Sequence, residues 1–89
     1  MDERIRKHAE ILCDWSTEIE DGDNVIISGS REAQELIVAL HEEIAKRGAK
    51  PITLYSSDEA KRAYLKNFEG EFETPEHILA LMEKADVII

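Results

Sequence analysis

Cysteine occurs once in these 89 residues, at Cys13, which excludes an internal disulfide and any paired-cysteine metal knuckle. A reducing, cytoplasmic setting fits that scarcity. Basic charge is short as well: eleven Lys and Arg stand against twenty Asp and Glu, and the net charge of -9 opposes the phosphate neutralisation on which DNA and RNA binding rests. Nucleic acid is therefore not an expected partner. No apolar run approaches the ~18–20 residues of a membrane span, and an amphipathic pattern starts at once from the N-terminus, so neither membrane contact nor a targeting segment is expected. Four glycines and two prolines are too few for a linker or a disordered tail.

What is present is 43% hydrophobic and 35% charged, the composition of a soluble, structured, helix-rich chain. A domain of this length buries only about 60–65% of the surface its unfolded chain exposes, so one marginal core is expected. The acid excess has two readings, a high-salt cytoplasm and a generic acidic surface.

Ile5, His8, Ala9, Leu12, Ser16 and Ile19 form one stripe of a 3.6-residue period behind the potential cap Asp2, which predicts a helix over 3–19. Ile11 and Trp15 sit on its flank, so either a wide arc is buried or Trp15 faces an interface. After the turn cluster Glu20-Asp21-Gly22-Asp23, the run 24–29 reads as a strand covered on both faces. Ser30 is placed to cap a helix over 31–47 with the stripe Ala33, Leu36, Ile37, Leu40 and Ile44, and Gly48 takes the left-handed position after it. Lys50–Tyr55 is a second strand with Pro51 near its start. Ser56 and Glu59 make a capping box for a helix over 57–67, Gly70 breaks that pattern, and Thr74 with Pro75 opens another helix carrying Ile78, Leu81, Met82 and Ala85. A third strand begins at Asp86. The fold class is α/β: a three-layer, Rossmann-like half, αβαβαβ, with a three-stranded parallel sheet in the order 2-1-3. The apolar Val87-Ile88-Ile89 ending reads as a sheet truncated at its third strand, one partial domain over 1–89 of a longer protein.

Ser28-Gly29-Ser30, at the carboxyl end of strand one, is the best-placed candidate for an anion or cofactor phosphate, because helix N-termini offer free N–H groups and a favourable dipole. It has one glycine where the dinucleotide fingerprint needs three, and a plain strand-to-helix turn is the simpler reading. His41-Glu42-Glu43 starts like a zincin helix, but the second ligand must stand at i+4, where Ala45 lies. His41 then reads as a solvated helix residue, and His8 and His77 are isolated. Cys13, inside a helix, reads as a small buried hydrophobe. The pairs Glu18/Glu20, Asp21/Asp23, Glu42/Glu43 and Glu71/Glu73 read as solvated surface. Asp86 lies at the amino end of its strand, away from where ligand crevices form.

The run Met1-Asp2-Glu3-Arg4-Ile5, the Gly22-Asp23-Asn24-Val25 approach to strand one, the passage from Glu42 to Pro51, and the ending from Glu83 to Ile89 resemble, in the same order and spacing, the N-terminus of the thermophilic metalloaminopeptidase family of the aminopeptidase T type. The resemblance rests on scaffold residues. It implies a cytoplasmic, homodimeric exopeptidase of several hundred residues that uses two divalent metal ions, zinc, cobalt or similar, to activate water against the first peptide bond of a substrate. The family's glutamate, histidine and aspartate ligands, with a nearby tyrosine, belong to a C-terminal domain, and none maps onto residues 1–89. The implied role here is a non-catalytic N-terminal scaffold, partnered by the C-terminal catalytic domain of the same chain, with no catalytic or metal-ligating residue of its own. The residues alone leave open a free-standing module that holds a small anion or nucleotide at Ser28-Gly29-Ser30, and a self-associating domain that uses Trp15 and the open strand edge.

Overall fold

A computed structural model describes residues 2–89; Met1, which opens the quoted N-terminal run, lies outside them. Asp2 caps α1 (Glu3–Ile11), its carboxylate accepting from the Arg4 N–H at 2.8 Å. The expected helix over 3–19 does not run through. From Leu12 to Ser16 the chain widens into a π-helical turn, and Thr17 donates both its N–H and its hydroxyl to the Leu12 carbonyl, at 3.2 and 2.8 Å. That side chain competes with the ordinary helical ladder and unwinds it. Glu18 then adopts φ +49 and the Ile19 N–H closes on the Cys13 carbonyl at 3.0 Å. Ala9 and Cys13 lie inside, while the stripe residues His8, in the regular helix before the widened turn, and Ser16, at its end, are exposed.

Strand β1 (Asn24–Gly29) has Val25, Ile26 and Ile27 buried in succession, as expected for a strand covered on both faces. A short 3₁₀ turn (Arg31–Ala33) leads into α2 (Gln34–Lys46), and Ser30 makes no side-chain cap bond to either. Gly48, at φ +74, occupies the left-handed position after α2, and a Cβ there would run into Asp21 Oδ1. Its carbonyl accepts from Gly22 N–H at 2.9 Å, which ties the two turns together.

Strand β2 (Lys50–Tyr55) pairs with β1 in parallel, with Asn24 opposite Lys50 and Val25 opposite Pro51; as an edge strand it tolerates that proline. The next cap falls one residue later than predicted. Ser56 still extends the ladder, donating its N–H to Gly29 O at 2.8 Å, so Ser57 caps α3 (Asp58–Asn67) by accepting from Ala60 N–H at 3.1 Å. Likewise Pro75, not Thr74, is the residue before α4 (Glu76–Lys84). Strand β3 (Val87–Ile88) pairs in parallel with β1 and completes the expected order β2-β1-β3. Asp86 fastens its amino end to the Asn24 backbone: its N–H donates to Asn24 O and its carboxylate Oδ2 accepts from Asn24 N–H, both at 2.8 Å.

One face of the sheet carries the core. Val25 and Ile27 meet Ala9 and Cys13 from the N-terminal helix and Ile37, Leu40 and Ile44 from α2. The other face is thinly covered: Ile26 and Ile52 line an open apolar cleft of about 360 Å³ with Leu81 of α4 and Ala85 just after it, and every residue from Tyr55 to His77 is exposed. The radius of gyration, 15.2 Å, accordingly exceeds the ~12 Å expected for a compact chain of this length.

Candidate functional site

The candidate Ser28-Gly29-Ser30 lies at the carboxyl ends of β1 and β2. Ser28 is exposed and donates its N–H to Ile89 O at 3.1 Å, and Gly29 accepts from Ser56. A Cβ on Gly29 would stand 2.8 Å from Ile37 Cδ1, so the glycine lets α2 pack closely on the strand it follows. Ser30 faces a cleft of about 270 Å³ whose other wall is Ser56, Ser57, Asp58 and Glu59. Two helix starts converge there. Its charged lining is Arg31 against Glu32, Asp58 and Glu59, and the Ser30 hydroxyl holds the Glu32 carboxyl below the usual carboxylate range. The lining is therefore net acidic at neutral pH. Above it, the Tyr55 hydroxyl donates to Gln34 Oε1 at 2.7 Å and ties β2 to the first turn of α2.

His41 is half-buried and not solvated as expected. Its Nδ1–H donates to Ile37 O at 2.9 Å while Nε2 faces Thr53 Oγ1 at 3.4 Å, so the ring joins α2 to β2. Glu43 overturns the solvated-surface reading of the Glu42/Glu43 pair: it is only 6% exposed. It accepts from Lys46 Nζ at 2.8 Å and from Arg47 Nη1 at 3.0 Å, and Arg47 also donates from Nε to Asp14 Oδ1 at 2.9 Å. The Lys46 and Arg47 contacts of Glu43 fall at helical i,i+3 and i,i+4 spacing, whereas the Asp14–Arg47 contact across 33 positions has no local periodicity to signal it.

This arrangement does not fit a metal ion. The carboxylates of Asp14 and Glu43 are engaged by Arg47 and Lys46, and both His41 nitrogens face protein partners. No group of three or more His, Cys, Asp or Glu side chains comes together among the described residues. Cys13 is fully buried beneath the Arg47 cluster; burial pushes its thiol above the ordinary range, against the opposing pull of the Arg47 charge. It is expected to resist alkylation in the folded protein and to label only as the chain unfolds in urea, which mass spectrometry reads directly. Ready labelling without denaturant would contradict the buried position.

Trp15 is 81% exposed and Ile11 is exposed on the same flank, which decides against the wide buried arc. A second exposed group was missed in the sequence: Tyr64, Phe68 and Phe72 adjoin in space, a spacing of four that is legible once it is looked for. No helix among the described residues is long and apolar enough to cross a membrane.

A family model described as thermophilic metalloprotease (M29) matches residues 1–87. No curated protein matches the chain. Among solved structures, wild-type AmpT from Thermus thermophilus is similar at 26% identity and a TM-score of 0.63; the match covers 82% of this chain and 17% of that one. The chain thus spans less than a fifth of the solved relative. A parallel β2-β1-β3 sheet, a residue order that aligns almost throughout and a shared backbone path lead to one conclusion: the chain belongs to the M29 family of thermophilic metalloproteases.

Proposed function

We propose that residues 1–89 are the non-catalytic N-terminal scaffold, one partial α/β domain, of a cytoplasmic metal-dependent aminopeptidase that removes N-terminal residues from peptides. The observation that carries this reading is the family match over 1–87 joined to a likeness that takes in 82% of this chain but 17% of its relative. In that reading the peptide substrate and two divalent ions, zinc, cobalt or similar, belong to a C-terminal domain of the same chain, which would assemble as a homodimer. The carboxylates of Asp14 and Glu43 and the His41 ring already have protein partners, so no step of the hydrolysis is assigned to them. The exposed Trp15 flank and the thinly covered sheet face supply surface for contact with that domain.

The test has two arms. The gene beyond Ile89 is expected to encode a further domain with clustered Glu, His and Asp residues, and a stop codon directly after Ile89 would sink the proposal. The 89-residue chain, supplied with zinc, cobalt or manganese, is expected to leave an aminoacyl p-nitroanilide intact, and turnover that follows the purified chain would overturn its non-catalytic role. Saturable NMR shifts confined to residues 28–32 on adding phosphate or a nucleotide would instead favour an anion-binding module.

A further inference from the structure

Tyr64 and Phe68, one turn apart at the end of α3, stack with ring centroids 5.1 Å apart and 19° between their planes. Beyond the helix the backbone passes close behind the Phe68 ring at Gly70, where a Cβ would stand 2.9 Å from Phe68 Cζ. That close pass brings Phe72 to 5.5 Å from Phe68 at a tilt of 42°. With Pro75, Glu71 and Glu73 the three rings line a groove of about 470 Å³. The rings stay accessible, Tyr64 at 58%, Phe68 at 39% and Phe72 at 65%.

We propose that this groove docks a basic peptide segment, with Lys or Arg side chains lying over the rings and pairing with Glu71 and Glu73. An aromatic face carries negative electrostatic potential and attracts an ammonium or guanidinium group within ~6 Å of its centroid. Both charged residues of the groove are glutamates, and Glu69 and Glu76 flank them in a stretch, 69–76, without Lys or Arg. Lys61, Arg62 and Lys66 belong to α3 but do not line the groove. An apolar or acidic partner would strip water from these carboxylates and offer them nothing in return. A second copy of this chain would bring a net charge of -9 and the same glutamates against them, so like charges would meet. The inference does not depend on the peptidase reading.

The probe is an N-acetylated, C-amidated tetra-arginine peptide, which has no free α-amine for an aminopeptidase to act on. In a ¹⁵N-resolved NMR titration of the 89-residue chain, saturable shifts are expected in residues 64–75. Affinity should fall about tenfold in the double variant Glu71→Gln/Glu73→Gln and about as much in Phe72→Ser. Phe72 is largely exposed and its replacement leaves net charge unchanged, so that variant separates the groove from general attraction to an acidic protein. Shifts scattered over other acidic faces, undiminished binding by Phe72→Ser, or equal shifts with a tetra-glutamine peptide would each overturn the proposal.

Discussion

Ile44→Ala is expected to lower the free energy of unfolding by about 4 kcal/mol, most of what a domain this small commands. Ile44 is fully buried on α2 in the one cluster that gathers Ala9 and Cys13, Val25 and Ile27 of β1, and Ala49 before β2. Truncation removes the transfer energy of the lost carbons and leaves a cavity between elements that already bear on one another. Among the described residues no second core takes up the loss, because those from Tyr55 to His77 include no buried one. Urea unfolding followed by circular dichroism should show a lower midpoint with an unchanged slope. Leu79→Ala, at a position 54% exposed, should cost less than about 1 kcal/mol. A loss below about 1 kcal/mol at Ile44 would show that this cluster is not the stabilising core.

Arg47→Ala should cost about 3 kcal/mol, as expected when one member of a buried ion pair is removed. The Arg47 side chain is 18% exposed and bridges two partners that α2 alone could not join: Glu43, buried, and Asp14, 53% exposed on the π-helical turn. It also donates to the Glu43 carbonyl at 2.7 Å, near the end of the helix. Asp14→Ala touches a more exposed group and should cost under about 1 kcal/mol, and Lys46→Ala should cost less than Arg47→Ala. Glu43→Leu/Arg47→Leu together should recover more than half of the loss, since no charge is then stranded. The Lys46 hydrogen bond, reinforced by Arg47 against the opposing effect of burial, holds the Glu43 carboxyl below the ordinary range. The unfolded chain therefore binds more protons in that window. The stability from Glu43 is fully present above about pH 4.3 and is lost as pH falls through its lower folded value. Arg47→Ala should shallow that acid slope, and an unaltered slope would show that the cluster does not set it.

Periodicity and turn chemistry located the strands because their signals are local. Val25-Ile26-Ile27 is an unbroken apolar run, Gly48 supplies the left-handed turn, and the β2-β1-β3 order follows the precedent of half a dinucleotide-binding fold. The errors came where two residues compete for one bond. Ser56 and Ser57 both suit a cap, but only the folded sheet shows that the backbone of Ser56 is already committed to Gly29. Thr17 likewise unwinds a helix whose hydrophobic stripe continues past it. Glu43 looked solvated because its principal long-range link, through Arg47 to Asp14, depends on a fold that brings α2 against the π-helical turn. At the candidate site, the position of Ser28-Gly29-Ser30 at a strand end was legible; the acidic wall facing it, from a segment nearly thirty positions on, was not.

Asn24 is held on one side by Lys50 and on the other by Asp86, 62 positions away. Chain-closure entropy grows only with the logarithm of loop length, so reaching the farther partner costs about 0.8 kcal/mol more than reaching the nearer one. The reciprocal Asn24–Asp86 bonds are of the size needed to offset that difference. The length of the segment carrying α3 and α4 is thus weakly constrained by the sheet it spans. The sheet therefore sets no fixed length for that segment, and the third strand takes its register from the Asp86 anchor instead.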